Sequence, residues 1–196
     1  MYGRVVNPLN DRTLYFITSN KGKVKEAKDK FSDIDIKIIQ KDLGYPEIQA
    51  DTLEEVAFFG AEHVKKKFNR PFILEDAGLF INALNGFPGV YSAYVYHKIG
   101  CDGILRLLKD FNENRNATFK SMYAYCKPNK KPIIFSGECQ GMISKKEIGT
   151  LGFGFDPIFI PKGKLKTFAQ MKTKEKNKIS HRGKSLDKLK DFFKNP

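Results

Sequence analysis

The chain has 196 residues, enough to bury a sizeable core within one domain. Hydrophobic residues make up 41% and charged residues 29%, which excludes a disordered or fibrous chain, and the formal net charge of +13 calls for an anionic partner unless the lysines only solvate exposed faces, as in Lys127 to Lys131. No apolar run reaches the ~20 residues that cross a bilayer, and "MYGRVVNPLNDR" lacks a signal-peptide apolar block, so a cytoplasmic protein without membrane contact is expected.

In chain order, "TLYFIT" (Thr13 to Thr18) is a short β-rich apolar run and predicts a first strand. Val24, Ala27 and Phe31 recur at helical spacing, so "KGKVKEAKDKF" reads as a helix. Asp35 to Ile39 predicts a second strand. Thr52 and Glu55 have capping-box spacing ahead of Leu53, Val56, Gly60 and Val64, which predicts a helix to about Lys67. Pro71 to Glu75 predicts a third strand that stops on two acids, Glu75 and Asp76. After a loop marked by Gly86, Pro88 and Gly89, "CDGILRLLKDF" reads as a helix. "ATFKSMYAYCK" and "KPIIFSGECQGMIS" read as two long strands joined antiparallel at Pro128-Asn129. The glycine-rich "GTLGFGFDPIFIP" follows, and the chain closes on a helix capped by Ser180 with Leu186, Leu189 and Phe193 as its buried stripe. Strands alternate with helices early and pair as a hairpin later. The expected fold is therefore α/β: a long mixed β-sheet, helices forming two lobes around a central cleft, and residues 1–196 as a single domain.

Cys101, Cys126 and Cys139 form no C-x-x-C pair, and His63, His97 and His181 form no i, i+4 pair. Any metal is then held by carboxylates. Four segments carry candidate chemistry. Thr18, Ser19, Asn20, Lys21, Gly22 and Lys23 occupy a strand-to-helix turn, where backbone N–H groups and polar side chains attract phosphate; an ordinary polar helix cap accounts for the same residues. Glu47, Glu75 and Asp76 are carboxylates whose mutual repulsion a magnesium ion relieves, the alternative for Glu75 and Asp76 being turn capping before Gly78. In "GFGFDP", Phe153 and Phe155 offer ring faces for a base and Asp156 a polar handle, or else the segment is a bulge with core phenylalanines. Lys176, His181 and Arg182 place cations against a helix N-terminus, which an anionic or carbonyl-bearing ligand, or plain solvation, explains. No Ser-His-Asp or Cys-His set stands out, so metal-assisted water attack is the expected chemistry.

"TSNKGKVKEA", "PEIQ", "LEDAGLFINALNGFPGVYSAY", "GFGFDPIF" and "EKNKISHRGKSL", in that order, resemble the motifs of the inosine triphosphate pyrophosphatase family (Ham1-like, non-canonical purine NTP pyrophosphatases) from about Thr13 to Phe192. The resemblance implies a homodimer that uses Mg2+ to cleave ITP, dITP and XTP to the monophosphate plus pyrophosphate. Carried over by position, it gives the triphosphate to Thr18 through Lys23, the metal to Glu47 and Asp76, and the water's proton to Asp76. Ala77, Phe153, Gly154, Phe155, Asp156, Lys176, His181 and Arg182 then line the substrate site. Two positions depart from the family pattern. Ala77 stands where many relatives have serine, and Phe59 and Gly60 stand where a phosphate-facing lysine is common, so Lys65 to Lys67 substitute or the clamp differs. The charge also suits a nucleic-acid module, but carboxylates in a cleft repel a phosphate backbone, so no nucleic-acid partner is expected. A phosphatase releasing orthophosphate is the other rival, separated by its product.

Overall fold

In the computed structural model, residues 12–46, 48–111 and 114–194 are described. β1 (Thr13–Ile17) leads into α1 (Lys21–Lys30), whose first turn is closed by Asn20: its Oδ1 accepts the N–H groups of Gly22 (2.9 Å) and Lys23 (3.1 Å). β2 (Lys37–Lys41) returns parallel to β1 and starts later than the apolar run predicts. Ile36 falls outside this ladder and packs against the core beneath α1, so burial and strand pairing part company there. α2 (Leu53–Lys65) opens on the predicted capping box, with Glu55 N–H on Thr52 Oγ1 (3.2 Å) and Thr52 N–H on Glu55 Oε2 (3.0 Å).

β3 (Phe72–Ile81) does not stop at Glu75. It runs through the two acids because β5 (Asn116–Cys126) pairs with all ten of its residues, from Phe72↔Cys126 to Ile81↔Ala117. Glu75 and Asp76 thus sit side by side in mid-strand and point to opposite faces. A short β4 (Pro88–Gly89) pairs back onto Leu79 and Phe80.

α3 (Ser92–Leu107) begins well before the helix expected at Cys101. Gly100 breaks it, with φ 61° and ψ −164°, a conformation open essentially to glycine alone. The second half is the predicted helix. The first half is hidden because "SAYVYHKI" is rich in β-branched and aromatic residues and is followed by Gly100.

β5 and β6 (Ile133–Ile143) form the expected hairpin around Asn129 (φ 59°), and β7 (Phe159–Pro161) closes the sheet edge. α4 (Thr173–Ile179) and α5 (His181–Lys194) end the chain, with Ser180 Oγ accepting the Gly183 N–H at 3.0 Å as predicted for a cap. The sheet order is β2-β1-β3-β5-β6-β7, parallel on the β1 side and antiparallel from β3 onward. No described helix is long and apolar enough to cross a membrane.

The core divides along β3. Ile73 joins a cluster under α1 and α5 that includes Leu186, Leu189 and Phe193, while Phe72 and Leu74 join one under α2. Leu79 and Ile81 join a third with α3, Phe119 and Phe155. Residues 75–78 lie between these clusters, and there a cleft opens. α5 approaches the sheet closely because Gly137 of β6 has no side chain: a Cβ would lie 2.2 Å from the His181 carbonyl oxygen. That approach fixes the first turn of α5 beside mid-β3.

Candidate active site

The cleft has a volume of about 210 Å³. Asn20 and Lys23 from α1, Asp76 and Ala77 from β3, Phe153 through Asp156 from the glycine-rich loop, and His181 and Arg182 from α5 all line it. Residues separated by more than a hundred positions in sequence therefore share one wall, as the motif reading requires. Thr18, Ser19, Lys21 and Gly22 are not on that wall. Thr18 Oγ1 instead accepts the Asn20 N–H at 3.1 Å, and Gly22 leaves room for the Phe153 ring, whose Cδ1 would be 2.5 Å from any Cβ there. The turn is first a helix cap, with the Gly22 and Lys23 N–H groups already bound by Asn20. Glu47 lies outside the described residues.

Glu75 turns out to have a different job from Asp76. It is 2% exposed and does not line the cleft; it belongs to a buried chain of alternating charges. Asp156 Oδ2 meets Lys176 Nζ at 2.6 Å, and Lys176 meets Glu26 Oε1 at 2.7 Å. Glu26 Oε2 meets Arg182 Nη1 at 3.0 Å, Arg182 Nε meets Glu75 Oε1 at 2.9 Å, and Glu75 Oε2 meets Lys23 Nζ at 2.7 Å. Ser121 Oγ donates a further hydrogen bond to Glu75 Oε1 at 2.9 Å. The cations before and in the first turn of α5 are therefore held against the helix dipole by carboxylates of the protein itself, which replaces the expected requirement for an anionic ligand. Lys176, 2% exposed, stands behind the cleft wall rather than on it. Asp156 lines the cleft, but its Oδ2 also accepts the Phe153 N–H at 2.8 Å, so it shapes the loop as well.

Burial pushes Glu26 and Glu75 toward protonation, but the adjoining Arg182, with Lys176 for Glu26 and Lys23 for Glu75, outweighs it and holds both below the ordinary carboxylate range. Burial wins at Asp156, which is raised despite Lys176. Burial of Arg182 is overcome by Glu75 and Glu26, which keep its guanidinium charged. His181 is the reverse case: burial, reinforced by Arg182 and Lys176, holds it far below the usual imidazole range, so it is neutral. Its ring lies on Phe119 (centroids 4.5 Å apart, 12° between planes), and neither ring nitrogen has a hydrogen-bond partner among the described residues.

These directions set an acid-stability prediction. At acid pH, Glu26, Glu75 and His181 bind fewer protons folded than unfolded, so each makes stability fall as pH falls. Loss begins below the ordinary imidazole value of 6.5 for His181 and below the carboxylate value of 4.5 for Glu26 and Glu75. Asp156, raised, acts in the opposite sense and is outnumbered. Thermal melts between about pH 7.5 and pH 4 should decline in two stages, with the first missing in His181→Phe. A melting temperature that stays flat between about pH 7 and pH 5 in the unaltered protein would count against a neutral buried His181.

Sequence reasoning missed Glu26 and the residues of α3 that complete the wall, Ser92, Ala93, Tyr96 and His97. Glu26 carried a signal: Lys23, Glu26 and Lys30 form one helical row, and all three meet α4, α5 or β3 (Lys30 Nζ on the Asn177 carbonyl, 3.1 Å). Lys65 pairs with Glu62 at 2.5 Å, Gly60 is covered by the Tyr45 ring, and none of Lys65 to Lys67 lines the cleft.

The fold and cleft define an α/β protein with a cleft at mid-sheet, lined by a strand carboxylate, ion-paired cations and aromatic rings. The chain belongs to the Ham1 family, whose model matches residues 14–192. A dITP/XTP pyrophosphatase of Thermococcus kodakarensis is 52% identical over 181 residues, covering 92% of this chain and 97% of that protein. One from Methanopyrus kandleri is 49% identical over 180 residues, covering 92% and 95%. Among solved structures, a HAM1 protein from Coxiella burnetii aligns with a TM-score of 0.81 at 30% identity, covering 94% of this chain and 99% of that one.

Proposed function

We propose that this chain is a single-domain house-cleaning hydrolase that converts ITP, dITP and XTP to the monophosphate and pyrophosphate. The observation that carries the reading is His181: a neutral imidazole on the cleft wall, 1% exposed, with both ring nitrogens unpartnered among the described residues, in a chain about half identical to dITP/XTP pyrophosphatases. Buried polar atoms of this kind are normally satisfied, and a purine edge is the partner that fits. A volume of about 210 Å³ is below the ~300–1,000 Å³ of sites that enclose a whole drug-sized ligand, so the base end enters and the triphosphate stays at the open mouth.

Arg182 offers donors only, and neutral His181 one donor and one acceptor. The C6 carbonyl of hypoxanthine or xanthine accepts from them, whereas adenine presents an amine to Arg182. Mispairing of this kind separates substrates by factors of roughly 10⁴. We therefore expect kcat/KM for ITP and XTP to exceed that for ATP by about that factor, with GTP between them. Comparable efficiencies on ITP and ATP would contradict the base-reading role.

A magnesium ion suits the donor chemistry, since the cleft offers carboxylate oxygen at Asp76 and, among the described residues, no thiol. Asp76, with Glu47, would hold it together with substrate phosphates; when bound it neutralises charge on the phosphoryl oxygens. Asp76 also takes the proton of the attacking water. The water oxygen bonds to the α-phosphorus, the bond from that phosphorus to the bridging oxygen breaks, and pyrophosphate leaves with the electron pair. Lys23 and Asn20 orient the phosphates from the α1 side.

The enzyme acts in the cytoplasm as a homodimer. Phe87, Tyr91, Tyr94, Ile99 and Leu107 are 40–62% exposed on and just before α3, an apolar face suited to a second copy. Sedimentation at micromolar concentration should give twice the 22.4 kDa chain mass; a monomer there would contradict the assembly.

A further inference from the structure

The cleft wall carries four side chains able to bear positive charge: Lys23, His97, His181 and Arg182. Three of them are accounted for. Lys23 Nζ is bound to Glu75 through both its carboxylate (2.7 Å) and its carbonyl (3.0 Å), and Arg182 is spread between Glu26 and Glu75. His181 is buried and neutral. His97 is the exposed one of the four, and its side chain has neither an ion pair nor a hydrogen bond to any described residue; its ring meets the Tyr96 ring, 6.0 Å between centroids.

Its placement is specific. Ser92, Ala93, Tyr96 and His97 lie at i, i+1, i+4 and i+5, so they form two adjacent rows on one helix face. In the inner row, buried Ser92 Oγ accepts the Leu79 N–H (2.8 Å) and donates to the Gly89 carbonyl (2.7 Å), while the Tyr96 ring stands on Phe155 (5.2 Å, 87°). The outer row, Ala93 and His97, is exposed and forms part of the mouth. The break at Gly100 separates these turns from Cys101, Ile104 and Leu108, which pack in the core. A helix continuous through Gly100 would hold both halves on one axis. The break frees Ser92–Ile99 to lie along the cleft.

We propose that His97 grips the triphosphate: at the mouth of the cleft its imidazole N–H donates a hydrogen bond to the terminal phosphoryl oxygens of the bound nucleotide. This rests on the pyrophosphatase reading above, which puts the base against His181 and leaves the phosphates at the mouth. The logic is one of uncommitted donors. A substrate bearing about four negative charges meets a wall whose lysine and arginine are already paired with Glu26 and Glu75. An N–H donor without an internal partner is what this mouth needs, and His97 supplies it.

The test uses two competitive inhibitors of ITP turnover at fixed pH and fixed free magnesium. Inorganic tripolyphosphate probes the mouth, and inosine probes the base end. His97→Ala should raise the Ki of tripolyphosphate about fivefold, the size of an exposed charged contact, His97→Glu should raise it further, and His97→Lys should restore it. The Ki of inosine should stay constant across the series, and kcat for ITP should change less than KM. Lys98→Ala, at the next position with its amine over the Tyr94 ring (5.4 Å), should leave both constants unchanged. Equal tripolyphosphate constants in the Ala, Glu and Lys variants of an enzyme that turns over ITP would overturn the role of His97 alone. A shift in the inosine constant would place His97 at the base instead, and absence of ITP turnover in the unaltered protein would remove the functional reading together with this inference.

Discussion

Asp76→Asn will abolish turnover almost completely while nucleotide still binds. The amide keeps the shape of the side chain but cannot accept the proton of the attacking water, and it is a far weaker ligand for a divalent cation. Loss of a general base alone costs ~10²–10⁴-fold, and loss of metal charge at the phosphoryl oxygens adds to it. The position supports a chemical rather than a packing role: Asp76 sits in mid-β3 with its side chain on the cleft wall, on a backbone held by its pairing with Met122 of β5. Turnover within tenfold of the unaltered enzyme, with the melting temperature unchanged, would remove Asp76 from the mechanism. Unaltered nucleotide affinity together with lost turnover is the pattern expected of a group that acts chiefly in the transition state.

The second large effect is on folding. Arg182→Ala strips a guanidinium from between two buried carboxylates, leaving Glu26 with Lys176 and Glu75 with Lys23. Removing one partner from a buried ion pair costs about 3–5 kcal/mol, because the remaining charge stays desolvated. Arg182→Ala should lower the urea midpoint accordingly, and Arg182→Lys should recover only part of it, since an ammonium cannot present the Nε and Nη1 donors of the fork in their fixed geometry. Combining Arg182→Ala with Glu26→Gln should cost less than the sum of the single changes. Strictly additive losses would mean that the chain of charges is not a coupled unit. On the folded fraction, Arg182→Ala should reduce efficiency on ITP more than on ATP, because it removes a donor that only the C6 carbonyl uses.

Much of this site was legible in the order of its motifs. Asn20, Asp76, Phe153 to Asp156 and His181-Arg182 are short local patterns whose chemistry survives without knowledge of the contacts, and the cleft does bring them together. The Thr52–Glu55 box and the hairpin at Asn129 were legible for the same reason: each is decided by residues within a few positions. What stayed hidden depends on partners distant in sequence. Glu26 among lysines looks like a solvated surface acid, and only α4 and α5 folding over α1 make it the centre of a buried network. Glu75 beside Asp76 looks like a second cleft carboxylate until β5 extends the strand and turns the two side chains apart. The first turns of α3 show no evident helical or strand stripe, because their aromatic and β-branched residues are weak helix formers and Gly100 hides the continuation.

The central claim is tested most directly by the product of the reaction. Incubating the purified chain with ITP and magnesium and following the phosphorus NMR spectrum should show IMP and pyrophosphate rising together, with no IDP. IDP and orthophosphate as first products, or no turnover of ITP with magnesium present, would contradict it.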